Sequence, residues 1–213
     1  MTSMTETSDL RRAEPLLAPL LWIVLGLWLF AVVTLARAGT FVPPGTGLPL
    51  ALATAAIAPG LLFLAAYRLI PALRHWVGTL DLALVTATQT WRVLGVVFLF
   101  LWALGDLPAV FAFPAGVGDV AVGILAVFVT VAVARKTAWA RNGSVLLLSV
   151  GVADFILAFG SAILSGQGRP LQLEGAPLPD MMQELPMALI PTFGVPLFLI
   201  LHVIAWLKLR TET

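Results

Sequence analysis

Six separate stretches of this sequence are each long and apolar enough to cross a lipid bilayer, and no other feature restricts the fold as much. They are Pro15–Leu35, Leu48–Leu69, Leu82–Leu104, Pro114–Ala134, Ser144–Leu164 and Pro186–Leu207. A helix rises about 1.5 Å per residue, so about 20 apolar residues cross a hydrocarbon core of about 30 Å. The runs are continuously apolar rather than alternating. That selects helices, which satisfy their backbone polar groups internally, over barrel strands. Charged residues make up only 11% of the chain and hydrophobic residues 60%, whereas a soluble domain is about 25% charged. A soluble fold of 213 residues would leave much of that apolar surface in water. The expected fold is therefore all-α: a polytopic membrane protein, one transmembrane domain over 15–210 built as a six-helix bundle, preceded by a polar cytoplasmic tail over 1–14.

The first run raises the alternative of a cleaved signal peptide. Arg11 and Arg12 precede it, and Ala36-Arg37-Ala38 has the small residues of a cleavage site. The run is nevertheless longer than the roughly 7–15 residues of a signal core, so it reads as a retained helix. Orientation follows from the loops. Arg11, Arg12, Arg68, Arg74, Arg135, Lys136, Arg141, Lys208 and Arg210 fall at one set of helix ends, and only Arg37 and Arg169 at the other. Cytoplasmic loops are enriched in Lys and Arg, which places both termini in the cytoplasm. Trp76, Trp139 and Trp206 sit at the same ends, where interfacial anchors belong. Arginine outnumbers lysine and alanine is abundant, a composition that suggests a GC-rich bacterial genome and hence the bacterial inner membrane.

Composition also excludes whole classes of chemistry. There is no cysteine, so disulfides, thiolate catalysis, iron–sulfur clusters and cysteine-bound zinc are ruled out. A net charge of +1 provides no basic surface for nucleic acid. His75 lies in the turn before the third run while His202 lies about two turns inside the sixth, depths too different for a shared haem or metal. No cofactor or metal is expected.

Ionisable residues inside the runs carry the functional signal. A charge at the centre of a membrane helix costs about 2.5–3.5 kcal/mol on insertion scales, so such residues face the interior and pair. Arg92 and Asp154 each lie about 15 Å from the cytoplasmic edge, near the midplane. Asp119 lies about 7–8 Å from the outer edge, within reach of a long arginine side chain. Gln89 shares a helix face with Arg92 at a spacing of i, i+3. Gln89 and His202 are at similar depth, which suits a hydrogen bond between two helices. Histidine also titrates near neutral pH and would serve as a proton carrier. A purely structural role for an Arg92–Asp154 pair, setting helix packing alone, stands beside the functional one.

Backbone breaks point to the same interior. Pro59-Gly60 sits mid-way along the second run, and Pro191, Gly194 and Pro196 crowd the outer half of the sixth. Proline removes a backbone donor and kinks a helix, so a cavity between the second and sixth helices is one expectation and simple packing the other. Pro43-Pro44-Gly45-Thr46-Gly47 and Pro114-Ala115-Gly116-Val117-Gly118 suggest a repeat of helical hairpins or coincidence. The last outward loop, 165–185, contains Leu178–Leu185, which suits a short amphipathic helix on the outer surface or a lid.

Two resemblances follow from these residues. Gly116-Val117-Gly118-Asp119 matches the GxGD signature of intramembrane aspartyl proteases, which implies Asp119 and a partner, Asp154 or Asp106, as two carboxylates sharing a proton. In the presenilin class the partner precedes that helix, an order Asp154 does not have, and the match covers four residues. The second resemblance is longer. Gln89-Thr90-Trp91-Arg92-Val93-Leu94-Gly95, Leu107-Pro108, Phe111-Ala112 and Pro114 to Asp119, with extension through Asn142, Asp154 and His202, resemble an uncharacterised family of bacterial multi-pass membrane proteins. That resemblance implies a shared polar core and no particular activity.

The leading expectation is binding or translocation of a small solute or ion through a polar cavity made by Gln89, Arg92, Asp119, Asp154 and His202. Arg92 would be the fixed cation for a small polar or anionic ligand, with Asp154 as the counter-ion that such a ligand displaces. Asp119 would guard the outer mouth, and Gln89 and His202 the inner one. The alternatives are a membrane enzyme acting on a lipid or isoprenoid with Asp119 and Asp154 as acid and base, an accessory subunit of a membrane complex or homo-oligomer, and the aspartyl protease.

Overall fold

Every apolar run becomes helical, and the lengths follow from where helix-starting and helix-stopping residues stand. The computed structural model describes residues 4–45 and 47–211. Residues 1–3 of the polar N-terminal stretch and Thr46 lie outside the described residues, as do the side chains of Arg11 and Arg12. Helix α1 spans Met4–Arg37, α2 Leu50–Leu69 and α3 Pro71–Thr79. The third span is composite: α4 (Leu82–Ala87), a 3-10 segment (Thr88–Gly95) and α5 (Val96–Ala103). Then come α6 (Ala109–Ala134), α7 (Ala140–Leu164), a 3-10 turn (Pro179–Gln183), a π-turn (Ile190–Gly194) and α8 (Val195–Thr211). Six helical spans among the described residues are long and apolar enough to cross a membrane, and no strand occurs among them. The chain is a multi-pass membrane protein.

Several boundaries differ from the expected ones for physical reasons. Helix α1 starts at Met4 rather than near Pro15, because extending a nucleated helix requires far less than starting one. Helix α6 starts after Pro108, so Pro114 lies inside it rather than opening it. Helix α3 is amphipathic, with Pro71 in its first turn and Val77 buried; its short apolar stripe was hidden between two spans. Helix α2 continues through Pro59, whereas the proline-rich start of the sixth span opens into the π-turn. Residues 179–183 do not lie along the surface: Met182 is buried in an apolar cluster with Phe98, Leu107, Phe111, Ala112 and Ala115.

Packing divides the bundle into layers. The end bearing Arg68, Arg74, Lys136, Arg141, Lys208 and Arg210 is called the basic end. Next to it Val77, Leu82, Val85, Leu148 and Ile204 form one apolar core. The Met182 cluster forms another towards the opposite end. Gln89, Arg92, Asp154 and His202 are all buried, and they occupy the middle. Helix α6 is central, packed against the composite third span and α7, while α2 packs on α8. The first span is peripheral: Trp22 and Phe30 are exposed, and it holds on through Val32, Ala36 and a Trp28–Phe193 ring contact.

Candidate functional site

The 3-10 segment aims the polar residues. Gln89, Arg92 and Gly95 are all buried and lie three apart. In an α-helix of about 3.6 residues per turn Gly95 would fall about a third of a turn away from Gln89; at about 3.0 residues per turn the three align. The hydroxyls of Thr88 and Thr90 donate to the carbonyls of Val85 and Ala87, three residues back, at 2.7 Å each, in register with the tight winding. The aligned row faces α6, and α7 lies beyond it.

Arg92 joins the two aspartates. Its Nε donates to Asp119 Oδ1 at 2.7 Å, and its Nη2 donates to Asp154 Oδ2. Its Nη1 lies 3.4 Å from the Gly151 carbonyl, and the Phe155 ring covers the guanidinium, with Cζ 4.0 Å from the ring centroid. The Arg92 side chain is 0% exposed, Asp154 5% and Asp119 20%. Removing three charges from water is costly unless each is paired and hydrogen-bonded, and arginine's planar fork of donors serves two carboxylates at once.

Glycines make the close approach possible. A Cβ on Gly118 would collide with the Asp154 carboxylate, and one on Gly95 with Asp119. At Gly151 a Cβ would strike His202 Nε2 and come within 3.0 Å of Arg92 Nη1. These three positions were not singled out from the sequence as site residues, although each lies within three positions of Arg92, Asp119 or Asp154. Phe155, next to Asp154, was missed as well, because an apolar residue in a membrane helix carries no signal of its own.

The other two expected site residues are placed differently. His202 Nδ1 donates to the Phe198 carbonyl at 3.0 Å, and its ring meets Phe155 edge-on at 5.7 Å. Both polar atoms of the Gln89 amide and His202 Nε2 are buried without a hydrogen-bond partner, so the expected Gln89–His202 bond is not formed. Asp106 is exposed in the turn after α5, away from Asp119. His75 is exposed on α3 and His202 buried in α8, so the two histidines do not meet. Among the described residues no group of three or more His, Asp or Glu is placed to hold a metal ion.

Asp119 and Asp154 form the floor of a cavity of about 280 Å³. Its walls are mostly apolar, with Phe98, Phe111, Phe155 and Phe159, and Leu52, Pro191 and Val195 from the second and sixth spans. Its mouth lies at the end opposite the basic one, between Val42, Pro43 and Leu48 on one side and residues 166–169 and 179–184 on the other, with Arg169, Asp180 and Glu184 at the rim. Arg92, Gln89 and His202 do not line it. Chemically, the cavity offers carboxylate acceptors beneath aromatic walls, with the balancing guanidinium sealed behind them.

Fold and site together define a polytopic α-helical membrane protein whose interior holds an Arg–Asp–Asp cluster beneath a cavity open at one end. The chain belongs to the family described as Domain of unknown function (DUF8737), which matches residues 48–210 and so takes in every residue of the cluster and five of the six spans. No curated protein and no solved structure matches the chain.

Proposed function

We propose that this protein binds a small solute in the cavity above Asp119 and Asp154 and carries it across a bacterial inner membrane. The basic end would face the cytoplasm, with both termini there, as the distribution of Lys and Arg favours. One observation carries the proposal: the buried charge cluster is also the floor of an open cavity. A cluster that only set helix packing would need no such opening. Small-molecule sites are concave and mostly apolar, with a few polar groups that orient the ligand, and this cavity has that make-up. Below the floor, Gln89, His202 Nε2 and Thr130 Oγ1 are buried without partners, polar atoms that hydration would satisfy.

The absence of cysteine provides a direct test. Ala158 lines the cavity one turn beyond Asp154, while Leu157 beside it is exposed on the bundle's outer face. In intact cells, Ala158→Cys should react with a membrane-impermeant thiol reagent added outside, and Leu157→Cys, facing lipid, should not. An Ala158→Cys variant unreactive from both sides of the membrane would overturn the proposal.

A second reading, a membrane enzyme acting on a lipid or isoprenoid, draws support from the apolar walls beside two carboxylates suited to proton transfer. It predicts chemical conversion of a lipid, lost in Asp154→Asn; a carrier leaves its ligand unchanged. The protease alternative is disfavoured by Arg92. A water-activating pair shares a proton between its carboxylates, whereas here each carboxylate binds a different nitrogen of one guanidinium.

A further inference from the structure

The ligand class follows from the charges and acceptors that the cluster leaves unsatisfied. One guanidinium faces two carboxylates, so with both aspartates ionised the site holds one negative charge in excess. His202 is poorly placed to balance it. The ring does not line the cavity, and its Nε2 lies against Gly151 beside Arg92 Nη1, where a second positive charge would be repelled. Acceptors are also in excess. Asp119 accepts from Arg92 through Oδ1 alone, and Asp154 Oδ1 is buried with no donor. A carboxylate oxygen withheld from water and left without a donor is costly.

We infer that the cavity takes an organic cation, a protonated amine carried on an apolar or aromatic body; this rests on the cavity being the ligand site. An ammonium group supplies the missing charge and a donor for Asp119, the more exposed of the two carboxylates. Four phenylalanines, Phe98, Phe111, Phe155 and Phe159, line the same cavity as the two carboxylates, and aromatic faces attract cations as well as apolar bodies. An anion meets the opposite situation. It reaches Arg92, whose side chain is 0% exposed, only by displacing a carboxylate from it. A metal ion finds too few protein ligands to replace its hydration shell, since among the described residues no three carboxylates or imidazoles come together. Asp180 and Glu184 at the rim outnumber Arg169, so the approach also favours a cation.

The test uses three probes with similar bodies and different heads: 2-phenylethylammonium, 2-phenylethanol and 3-phenylpropanoate. Each is titrated against the purified full-length protein, and each is used to slow thiol labelling of Ala158→Cys. The ammonium compound should bind at least about tenfold tighter than the alcohol, and the carboxylate weakest of all. Asp119→Asn should remove the preference for the ammonium head and leave the alcohol's affinity within about twofold. Phe159→Ala should weaken the ammonium compound and the alcohol alike. If Asp119→Asn does not fold, the order in which the probes protect Ala158→Cys decides. Carboxylate binding tightest, all three binding alike, or none protecting a cysteine that does react overturns the organic-cation assignment and leaves the cavity reading intact. A cysteine that never reacts overturns the cavity reading itself.

Discussion

Arg92 is the residue on which the interior charge balance turns. It is sealed from solvent and holds Asp119 and Asp154 by separate nitrogens, so its loss leaves two carboxylates facing each other in a low-dielectric interior. Removing one partner of a buried pair costs about 3–5 kcal/mol, mostly through the uncompensated charge left behind. Arg92→Gln should therefore melt at a markedly lower temperature in detergent. The triple change Arg92→Gln, Asp119→Asn, Asp154→Asn should recover most of that loss, because no charge is stranded. A triple variant no more stable than the single one would show that shape rather than charge is at stake. Gly118 makes a comparable prediction without touching charge. Gly118→Ala drives a methyl group into the Asp154 carboxylate, whereas Gly160→Ala, on the same helix as Asp154, meets open space. Size-exclusion profiles of the two should differ, with Gly160→Ala like the parent and Gly118→Ala depleted in folded protein.

Among the elements, the 3-10 segment of the third span and the short 179–183 turn do the most to shape the site. The first aligns Gln89, Arg92 and Gly95 on a single face, which ordinary α-helical winding would spread around the helix. Mid-helix 3-10 and π segments often mark functional positions, and here one lies in the third span and the other, Ile190–Gly194, contributes Ile190 and Pro191 to the cavity wall. The 179–183 turn forms part of the cavity wall near its mouth. Its Met182 is 6% exposed and packs in one apolar cluster with Phe98 and Phe111, while Asp180 and Gln183 line the cavity. Met182→Ala should cost about 2–5 kcal/mol of stability as a core truncation. It should also speed thiol labelling of Ala158→Cys by loosening this wall; unchanged labelling with lowered stability would mean that Met182 packs the core without shaping access to the cavity.

At the scale of the whole molecule, five spans carry the family match and the site, while α1 lies at the periphery with much of its surface facing outward. The proposed orientation is checked by reporter fusions. Alkaline phosphatase joined after Arg210 should be inactive and a green fluorescent reporter there should fluoresce, while phosphatase inserted at Gln167 should be active; the reverse pattern would invert the topology. Much of this architecture was legible in the sequence. Hydrophobic length determines which segments can span a bilayer, since each span must satisfy its backbone and cross a fixed thickness, and neither requirement depends on the neighbours. The sequence by itself therefore determined the six spans and the inward placement of Arg92, Asp119 and Asp154, whose charges are too costly to face lipid. Which partner each charge takes depends on helix rotation, and that was decided by tertiary packing. The 3-10 winding turned Arg92 towards α6 and α7, glycines let the backbones close around the carboxylates, and Arg92 ended behind the cavity floor rather than within the cavity. Hydropathy is nearly blind to rotation about a helix axis, so the reversal from a cavity-facing cation to cavity-facing carboxylates became visible only once the helices were packed.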